Sequence, residues 1–421
     1  MQKIMAQLSS DTFAFGGNSM RVEEALDLVT ARIPPITDTE WVGLFEADGR
    51  VLVQSVIAPI NLPAFDNSAV DGYAVTHSDL LPDAATRLHV VGRVAAGQPP
   101  LSRVARGSAI RIFTGAPLPA GTDTVFMQED VPLLEDGRVE LPAGLKAGAN
   151  CRMIGEDIGV GDAAIAQGRR LDPRDIALVA ALGLSRLEVR RLPRVAVFST
   201  GNEVCEPGAP LAAAAIYDSN RYALAALLRR SGCEVTDLGI LRDNRDEVEA
   251  SLKAAAQTHD MVVTSGGVSA GDEDHVRAAI TGGGSLVFWR LAIKPGRPVA
   301  MGVMHGTPVV GLPGNPVAVF VTFAHIVRPL IAAMVGAIAT PITPSAVVAD
   351  FRHRKKVGRR EYLRVSLARR GTETIAIKYP VDGAGIITSL TRTDGLVDLD
   401  EDRLDVERGD RVSFIDYRQL T

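Results

Sequence analysis

The sequence predicts a multidomain protein of the α/β plus β class, with a parallel-sheet domain, a β-rich insert and a C-terminal β domain. Three observations support this prediction. The chain has 421 residues, more than one hydrophobic core usually accommodates. Strand-like and helical segments alternate over residues 193–339. Short β-prone runs between glycine and proline turns fill residues 63–149 and 340–421.

The N-terminal part predicts a discontinuous domain made of residues 21–62 and 150–192. Apolar residues recur at helical spacing from Val22 to Ile33, and the later segment DPRDIALVAALG has a similar pattern. Residues 1–20 lack a continuous apolar run, so we expect a disordered N-terminus and no signal peptide.

The β-rich insert occupies residues 63–149 in this interpretation. Its strand-like runs are rich in β-branched and aromatic residues. Asp136 and Gly137 stand between two such runs, and this pair is typical of a tight hairpin. After the insert the chain returns to the N-terminal domain.

The segment 193–339 predicts an α/β domain. Its runs RVAVFST, EVTDLGIL and DMVVTS are strand-like, and helical segments separate them. This β-α-β-α-β order predicts a parallel sheet with helices on both faces, and such sheets bind ligands at the carboxyl ends of their strands. Residues 340–421 contain strand-like runs such as EYLRVSLARR and no long helical pattern, which predicts the small C-terminal β domain.

Composition argues against several classes of protein. The net charge of −5 speaks against general binding of nucleic acid. The three cysteines form no CxxC pair and the histidines are scattered, so we expect neither a disulfide framework nor a zinc site. The longest apolar run, 317–338, is interrupted by His325, Arg328 and Pro329, which favours a buried helix over a membrane span. We therefore expect a cytoplasmic protein.

Acidic side chains follow each strand of the α/β segment. Glu203 follows the first strand, Asp243 the second and Asp274 the third. The carboxyl ends of parallel strands meet at one edge, where crowded carboxylates repel one another unless a cation lies between them. We therefore expect Mg²⁺ there. Alternatively, Asp243 and Asp274 cap the helices that follow them, whereas Glu203 has no evident structural role.

A glycine loop follows the third strand. Ser265, Gly266 and Gly267 could present backbone N–H groups to an anion, with Ser269 close behind. The loop lacks the Lys-Ser/Thr pair of a Walker A sequence. The alternative is that the glycines form only a turn.

Two further loops of the α/β segment could line a pocket. RLAIKPGRP contains Arg290, Lys294 and Arg297, and the last two could hold phosphates unless the loop is simply solvated. GLPGNP places Pro313 and Pro316 between a strand and a helix, either as a rigid pocket wall or as a connector.

The insert and its flanks contain four more candidates. Asp71 lies in the polar turn of FDNSAVDGYAV, and Thr114 lies in the glycine-containing turn of RIFTGAPLPAG. Arg152 and Asp157 belong to a mixed-charge cluster that could equally be a surface ion pair. The basic stretch 352–360 is expected to be a solvated β edge, or an anion site if it faces the acidic cleft.

These motifs together resemble a known family. FDNSAVDGYAV, RIFTGAPLPAG, GEDI, FSTGNE, SGGVSAGDED, LAIKPGRP and GLPGNP occur in the order seen in molybdopterin molybdenumtransferases, the MoeA family that includes the gephyrin E domain. The resemblance runs from about residue 21 to the C-terminus. It implies a four-domain homodimer with a molybdopterin-binding α/β domain, whose active site lies between that domain and the small domains of the partner.

The resemblance also implies an activity. Mg²⁺, molybdate and adenylylated molybdopterin (molybdopterin-AMP) bind, molybdate is inserted into the pterin dithiolene, the adenylate is hydrolysed and AMP is released. The substrate supplies the sulfur ligands, which agrees with the lack of a cysteine motif. An upstream molybdopterin adenylyltransferase would be a partner, and neither nucleic acid nor a membrane is expected to be one.

The resemblance assigns roles to the candidate residues. The implied catalytic residues are Asp71, Thr114, Glu203, Asp243 and Asp274, of which Glu203, Asp243 and Asp274 would bind the metal. The implied substrate-binding residues are Arg152, Asp157, Ser265, Gly266, Gly267, Ser269, Arg290, Lys294, Arg297, Pro313 and Pro316.

The sequence departs from the family pattern at a few positions. Asn202 stands where the family usually has aspartate, His275 where an aromatic residue is common, and Ala384 where serine is frequent. These changes affect the expected metal affinity and substrate detail more than the fold. Two other functions remain open from the sequence: adenylation of molybdopterin by the α/β domain, and a non-catalytic scaffold of the same fold.

Overall fold

The computed structural model of the protein describes residues 19–99, 101–268 and 275–421. The predicted class is confirmed, because the structure combines a large α/β sheet with separate β-rich units. Most of the expected disordered segment, 1–18, lies outside the described residues. Met20 is described, and its backbone pairs with that of Leu291.

The discontinuous N-terminal region is held together by two antiparallel strand pairs. Its elements are α1 (Val22–Thr30), β1 (Thr39–Gly43) and β2 (Val56–Ile57) before the insert. After the insert come β9 (Cys151–Arg152), β10 (Ala163–Ile165), α2 (Pro173–Ala181) and β11 (Arg186–Arg190). β1 pairs with β11 and β2 with β10, around one core that includes Leu52 and Val189. Helix α1 instead buries Val22 and Val29 in the core of the α/β domain.

The insert forms a five-stranded sheet in the order β7-β4-β6-β5-β8. The strands of the sheet are β4 (Gly72–Val75), β5 (Thr86–Val94), β6 (Ser108–Ile112), β7 (Thr124–Met127) and β8 (Arg138–Leu141), and the insert begins with a separate short strand, β3 (Asn67–Ser68). Short β3 pairs with β9 and so ties the insert to the N-terminal region. The predicted turn at Asp136-Gly137 is present, with the Leu134 amide donating to the Arg138 carbonyl at 2.7 Å.

The α/β domain contains a six-stranded sheet in the order β15-β12-β16-β20-β19-β17. Its elements are β12 (Arg194–Thr200), β13 (Val204–Cys205), β14 (Ile216–Tyr217), α3 (Asn220–Arg230), β15 (Glu234–Leu241), α4 (Arg245–Thr258), β16 (Met261–Ser265), α5 (His275–Gly283), β17 (Ser285–Arg290), β18 (Ile293–Lys294), β19 (Pro298–Met304), β20 (Thr307–Leu312), α6 (Pro316–Thr322), a π-helical turn (Phe323–Val327) and α7 (Arg328–Met334).

The first four strands of this sheet are parallel, as predicted, whereas β19 runs antiparallel to both of its neighbours, β20 and β17. A tight turn at residues 305–306 joins β19 to β20, and so short a connection permits only antiparallel pairing. Strand β12 lies between β15 and β16, so the strand order reverses there and opens a crevice at the carboxyl ends of these strands.

The long apolar helix of the sequence is a core helix of this domain. Pro316–Met334 has the length and hydropathy of a membrane span, but 72% of its apolar window is buried inside the protein. Its side chains pack against the parallel sheet, α1 and the C-terminal domain in one continuous core. This agrees with the interpretation of the sequence as a buried helix.

The C-terminal domain is a closed β structure. Its elements are β21 (Ser345–Ala349), β22 (His353–Arg354), β23 (Arg360–Arg370), β24 (Glu373–Lys378), α8 (Thr388–Thr391), β25 (Gly395–Leu399), β26 (Asp405–Val406) and β27 (Arg411–Asp416). The ladder runs β23-β24-β21-β27-β25, and β25 pairs again with β23 to close it. Strand β18 of the α/β domain adds to β23, which joins the two domains beside the candidate site.

Candidate active site

Two adjoining clefts lie at the carboxyl edge of the parallel sheet. The acidic cleft has a volume of about 580 Å³ and is formed by the loops that follow β12, β15, β16 and β20, with the segment 216–220. The cationic cleft, about 260 Å³, lies between the segment 293–298 and strand β23 of the C-terminal domain. Pro298, Pro313 and Asn315 line both clefts, so a single elongated ligand could occupy the two.

Glu203 and Asp243 both line the acidic cleft, as expected from their positions after β12 and β15. The Asn202 amide donates to Asp243 Oδ2 at 3.0 Å, and Asn202 Oδ1 accepts from the Asp243 amide at 3.3 Å. Helix α4 is capped by Asn244, whose side chain accepts from two amides of the first turn. The alternative that Asp243 serves as this cap is therefore wrong, and its carboxylate remains available to a ligand.

The third predicted carboxylate, Asp274, lies outside the described residues, as does Ser269. Over the described ranges, no three histidine, cysteine or acidic side chains cluster closely enough to hold a metal. Glu203 and Asp243 still provide the oxygen ligands that Mg²⁺ prefers. The buried Thr200 hydroxyl also lines the cleft and has no hydrogen-bond partner among the described residues. This donor set fits a hard divalent cation.

The glycine loop after β16 needs its glycines for close packing. Gly266 has φ +93°, and a Cβ there would lie 2.6 Å from the Thr200 carbonyl oxygen. Gly267 has φ +65° and no room for a Cβ beside Val276. The Gly266 amide donates to the Leu312 carbonyl, so this N–H is not free for an anion. In the described part of the loop, the Gly266 amide is therefore used for packing against β20, while Gly266 and Gly267 line the cleft.

Ser265 is occupied by structural hydrogen bonds. Its hydroxyl accepts from Asn220 Nδ2 at 2.9 Å and donates to the Pro313 carbonyl at 3.2 Å. Asn220 also donates to the Gly314 carbonyl at 2.7 Å. Asn220 thus connects helix α3, the glycine loop and the loop 313–316, here called the proline loop. It fixes Pro313 and Pro316 as a wall of the cleft.

Sequence reasoning missed Asp218 and Asn220 as residues of the site. Asp218 is buried, accepts from Ser199 Oγ at 3.1 Å and pairs with Arg221 Nε at 2.9 Å. The one sequence signal for them is the polar segment Asp218-Ser219-Asn220, which also suits the start of a helix. Burial of these side chains depends on contacts with β12 and β16, which lie far away in the sequence.

The cationic cleft is organised around Glu361. Its fully buried carboxylate accepts from Lys294 Nζ at 3.2 Å, from His353 Nε2 at 3.0 Å and from Arg359 at 2.6 Å. Burial alone would raise the pKa of Glu361, but the bonds from these three groups lower it to about 2. Lys294 is thus held at the cleft wall by an ion pair, while half of its side chain is exposed. Arg297 lines the same cleft and is exposed.

Two further arginines of the C-terminal domain line the cationic cleft, Arg359 and Arg364. Arg364 is buried and donates to Ser389 Oγ at 3.1 Å and to the Gly383 carbonyl at 3.0 Å. Arg359 belongs to the basic stretch 352–360, which therefore reaches a cleft with at least one residue. Within that stretch, Lys355 is instead buried against three backbone carbonyls, a structural role that the sequence did not reveal.

The remaining predicted residues lie away from both clefts of the single chain. In the insert, Thr114 donates to Asp71 Oδ1 through its amide at 2.8 Å and its hydroxyl at 2.7 Å. These two bonds hold the pKa of Asp71 below its usual range. Arg152 and Asp157 are exposed on either side of the turn between β9 and β10. None of the four, nor Arg290, lines the described walls of either cleft.

Comparison with known proteins gives a consistent result along the chain. Residues 20–183 match the family model described as the MoeA N-terminal region (domain I and II), residues 196–333 that of a probable molybdopterin binding domain, and residues 346–417 that of the MoeA C-terminal region (domain IV).

Individual relatives agree with these matches. A Haemophilus influenzae protein named molybdopterin molybdenumtransferase is 38% identical over 403 residues, which cover 95% of this chain and 99% of the relative. A protein of the same name from Nostoc is 37% identical, covering 75% of this chain and 74% of the relative. A solved structure of a molybdopterin biosynthesis MoeA protein from Pyrococcus horikoshii has a TM-score of 0.82 at 30% identity, covering 95% of this chain and all of that one.

Proposed function

Because the chain belongs to the MoeA family of molybdopterin molybdenumtransferases, we propose that it inserts molybdenum from molybdate into adenylylated molybdopterin, with hydrolysis of the adenylate and release of AMP. Family membership confirms the resemblance carried by the ordered motifs. It also makes the protein a transferase of molybdenum cofactor biosynthesis, and it favours this reaction over adenylation of the pterin or a scaffold role.

The observation that carries this proposal is the pairing of an acidic cleft with a cationic one along a shared wall. The proposed substrates, molybdate and a pterin adenylate, are anions. Lys294, Arg297, Arg359 and Arg364 would attract a molybdate or phosphate oxyanion to the cationic cleft. Glu203 and Asp243 would repel the same groups unless a cation is present.

A Mg²⁺ ion held by Glu203 and Asp243, with Asp274 as a third ligand, would neutralise the phosphoryl charge when bound. The chain's own residues supply the rest of the site. The proline loop fixes the wall between the two clefts, and the Glu361 cluster holds Lys294 and Arg359 at the cationic cleft. We also propose a cytoplasmic homodimer that receives its substrate from a molybdopterin adenylyltransferase. Asp71, Thr114, Arg152 and Asp157 would then reach the clefts of the partner.

Glu203→Gln tests the proposed metal and substrate site. The change removes one charge and leaves the shape, so Mg²⁺ binding should weaken and molybdenum insertion should fall by about 100-fold. Insertion is measured as molybdenum cofactor formed from molybdopterin-AMP and molybdate, and Mg²⁺ binding by calorimetry. The unfolding midpoint should not change.

The matched control is Glu373→Gln, because Glu373 is exposed on β24 outside both clefts. This variant should bind Mg²⁺ and insert molybdenum as the unchanged protein does. Full insertion activity in Glu203→Gln would refute the assigned role of the acidic cleft.

A further inference from the structure

The acidic cleft contains an apolar surface that its proposed ionic chemistry does not use. Tyr217 is the one aromatic residue among the described residues that line this cleft, and it is 44% exposed. Its neighbour Ile216 also lines the cleft and is 56% exposed. An aromatic ring left open to water inside a polar cleft suits contact with a flat, uncharged part of a ligand.

The ring of Tyr217 is held in a fixed position. Its hydroxyl donates to the Ala209 carbonyl at 3.0 Å. Its backbone pairs with Cys205 in the short parallel ladder of β13 and β14, and the Asp218 amide donates to the Cys205 carbonyl at 2.9 Å. A tyrosine anchored at both ends can present a ring face without losing conformational entropy when a ligand binds.

The loop that carries the anchor is itself tied down. Both carboxylate oxygens of Glu206 accept from Arg221, at 2.5 and 2.6 Å. Arg221 is buried and also pairs with Asp218 and Asp237. The segment from Glu206 to Tyr217 is therefore fastened to helix α3 and β15, so the position of the ring is set by the fold.

We propose that the ring of Tyr217 forms a stacking wall for a flat heterocycle of the substrate, either its adenine or its pterin ring. This inference rests on the proposed function and deepens it. Where Glu203, Asp243 and their proposed Mg²⁺ take a phosphoryl group, the planar uncharged ring of the same substrate should lie against the exposed ring of Tyr217 in the same cleft. Planar bases stack on aromatic faces, and each stack contributes substantially to affinity.

The test measures binding of three probes to the full chain by calorimetry. The probes are AMP, ribose 5-phosphate, which lacks the base, and 6-hydroxymethylpterin, which lacks the phosphate. Tyr217→Ala should weaken AMP or the pterin by about tenfold and leave ribose 5-phosphate unchanged. Loss confined to AMP assigns the wall to adenine, and loss confined to the pterin assigns it to the pterin ring.

Two further variants separate stacking from structural damage. Tyr217→Phe keeps the ring and loses only the bond to Ala209, so its affinity should stay within about twofold. Leu211→Ala removes an apolar side chain of the same loop that is 51% exposed and lies outside the described cleft lining. Its affinities should match those of the unchanged protein.

Several results would overturn the stacking wall. They are unchanged affinity for both rings in Tyr217→Ala, an equal loss for ribose 5-phosphate and AMP, or a loss that coincides with a change in oligomeric mass. Failure of the unchanged protein to bind either ring would also overturn it. Tyr217-dependent ring binding by a protein that inserts no molybdenum would instead support the wall and refute the proposed function.

Discussion

At the scale of single residues, Glu361 shows how one buried carboxylate shapes the cationic cleft. It is fully buried, yet Lys294, His353 and Arg359 all point their cationic or donor groups at it. An isolated buried carboxylate would take up a proton, whereas one with three such partners stays ionised at neutral pH. Lys294 and Arg359 are thereby held where an anionic ligand can meet them.

Replacing Glu361 should cost stability in a pH-dependent way. Glu361→Gln should lower the free energy of unfolding at pH 7 by about 3 kcal/mol, because it removes the buried charge that Lys294, His353 and Arg359 all pair with. The pKa of Glu361 is lowered to about 2 in the folded state, from 4.5. Its contribution is therefore fully present above about pH 4.5 and is lost as the pH falls towards 2.

Urea unfolding at pH 7 and at pH 3 checks this prediction. The difference in free energy of unfolding between Glu361→Gln and the unchanged protein should be smaller at pH 3 than at pH 7. A difference of the same size at both pH values would contradict the prediction. The exposed Glu373→Gln serves as the reference, with an expected effect within about 0.5 kcal/mol at pH 7.

At the scale of elements, the start of helix α4 separates two adjacent polar residues by role. Asn244 caps the helix by accepting from the amides of Asp246 and Glu247 at 3.0 and 3.1 Å. Asp243, one residue earlier, faces the acidic cleft. A cap acts through backbone amides of its own helix, whereas a cleft residue acts through whatever binds there.

Replacing Asn244 and Asp243 one at a time should affect stability and activity in opposite ways. Asn244→Ala should lower the free energy of unfolding by about 1 kcal/mol and leave molybdenum insertion intact. Asp243→Asn should leave stability nearly unchanged and reduce insertion together with Mg²⁺ affinity. Chemical unfolding and the insertion assay, run on both variants, measure this. If Asn244→Ala lost molybdenum insertion but kept full stability, the assignment of Asn244 to helix capping and Asp243 to the cleft would be wrong.

At the scale of the whole molecule, the two clefts lie where the α/β and C-terminal domains meet. Strand β18 adds to β23, and the Val317 amide donates to the Ala384 carbonyl at 3.0 Å. The insert carries the fixed pair Asp71 and Thr114 on a different sheet. In the proposed homodimer these residues complete the site of the partner, which predicts complementation between two inactive chains.

Co-expressed chains carrying Asp71→Ala and Glu203→Gln should recover activity that neither variant has alone. A heterodimer of the two has one site with both residues intact if the site combines subunits. Random assembly should then give about a quarter of the activity of the unchanged protein. The insertion assay on the co-purified mixture measures the recovery. No recovery, with heterodimers present by mass, would place Asp71 and Glu203 in the same chain's site or in separate roles.

The carboxylates and the proline wall of the acidic cleft could be predicted from the sequence. In a parallel sheet the loop after each strand reaches the same edge, so Glu203 and Asp243 could be brought together from strand order alone. Proline and glycine restrict the backbone locally, so the wall of Pro313 and Pro316 was also predictable. The antiparallel pairing of β19 with β17 and β20 was not predictable, because it depends on which strand ends are near one another.

By itself, then, the sequence determined the class of the fold, the order of its parts and the identity of the residues after each strand, since these depend on local pattern and connection. Only the tertiary structure decided which polar groups are consumed internally and which face a ligand. It placed Asp218 and Lys355 in structural networks and made Glu361 the centre of a cleft. Burial and ion pairing join residues far apart in the chain, and their energies depend on distances that no local pattern contains.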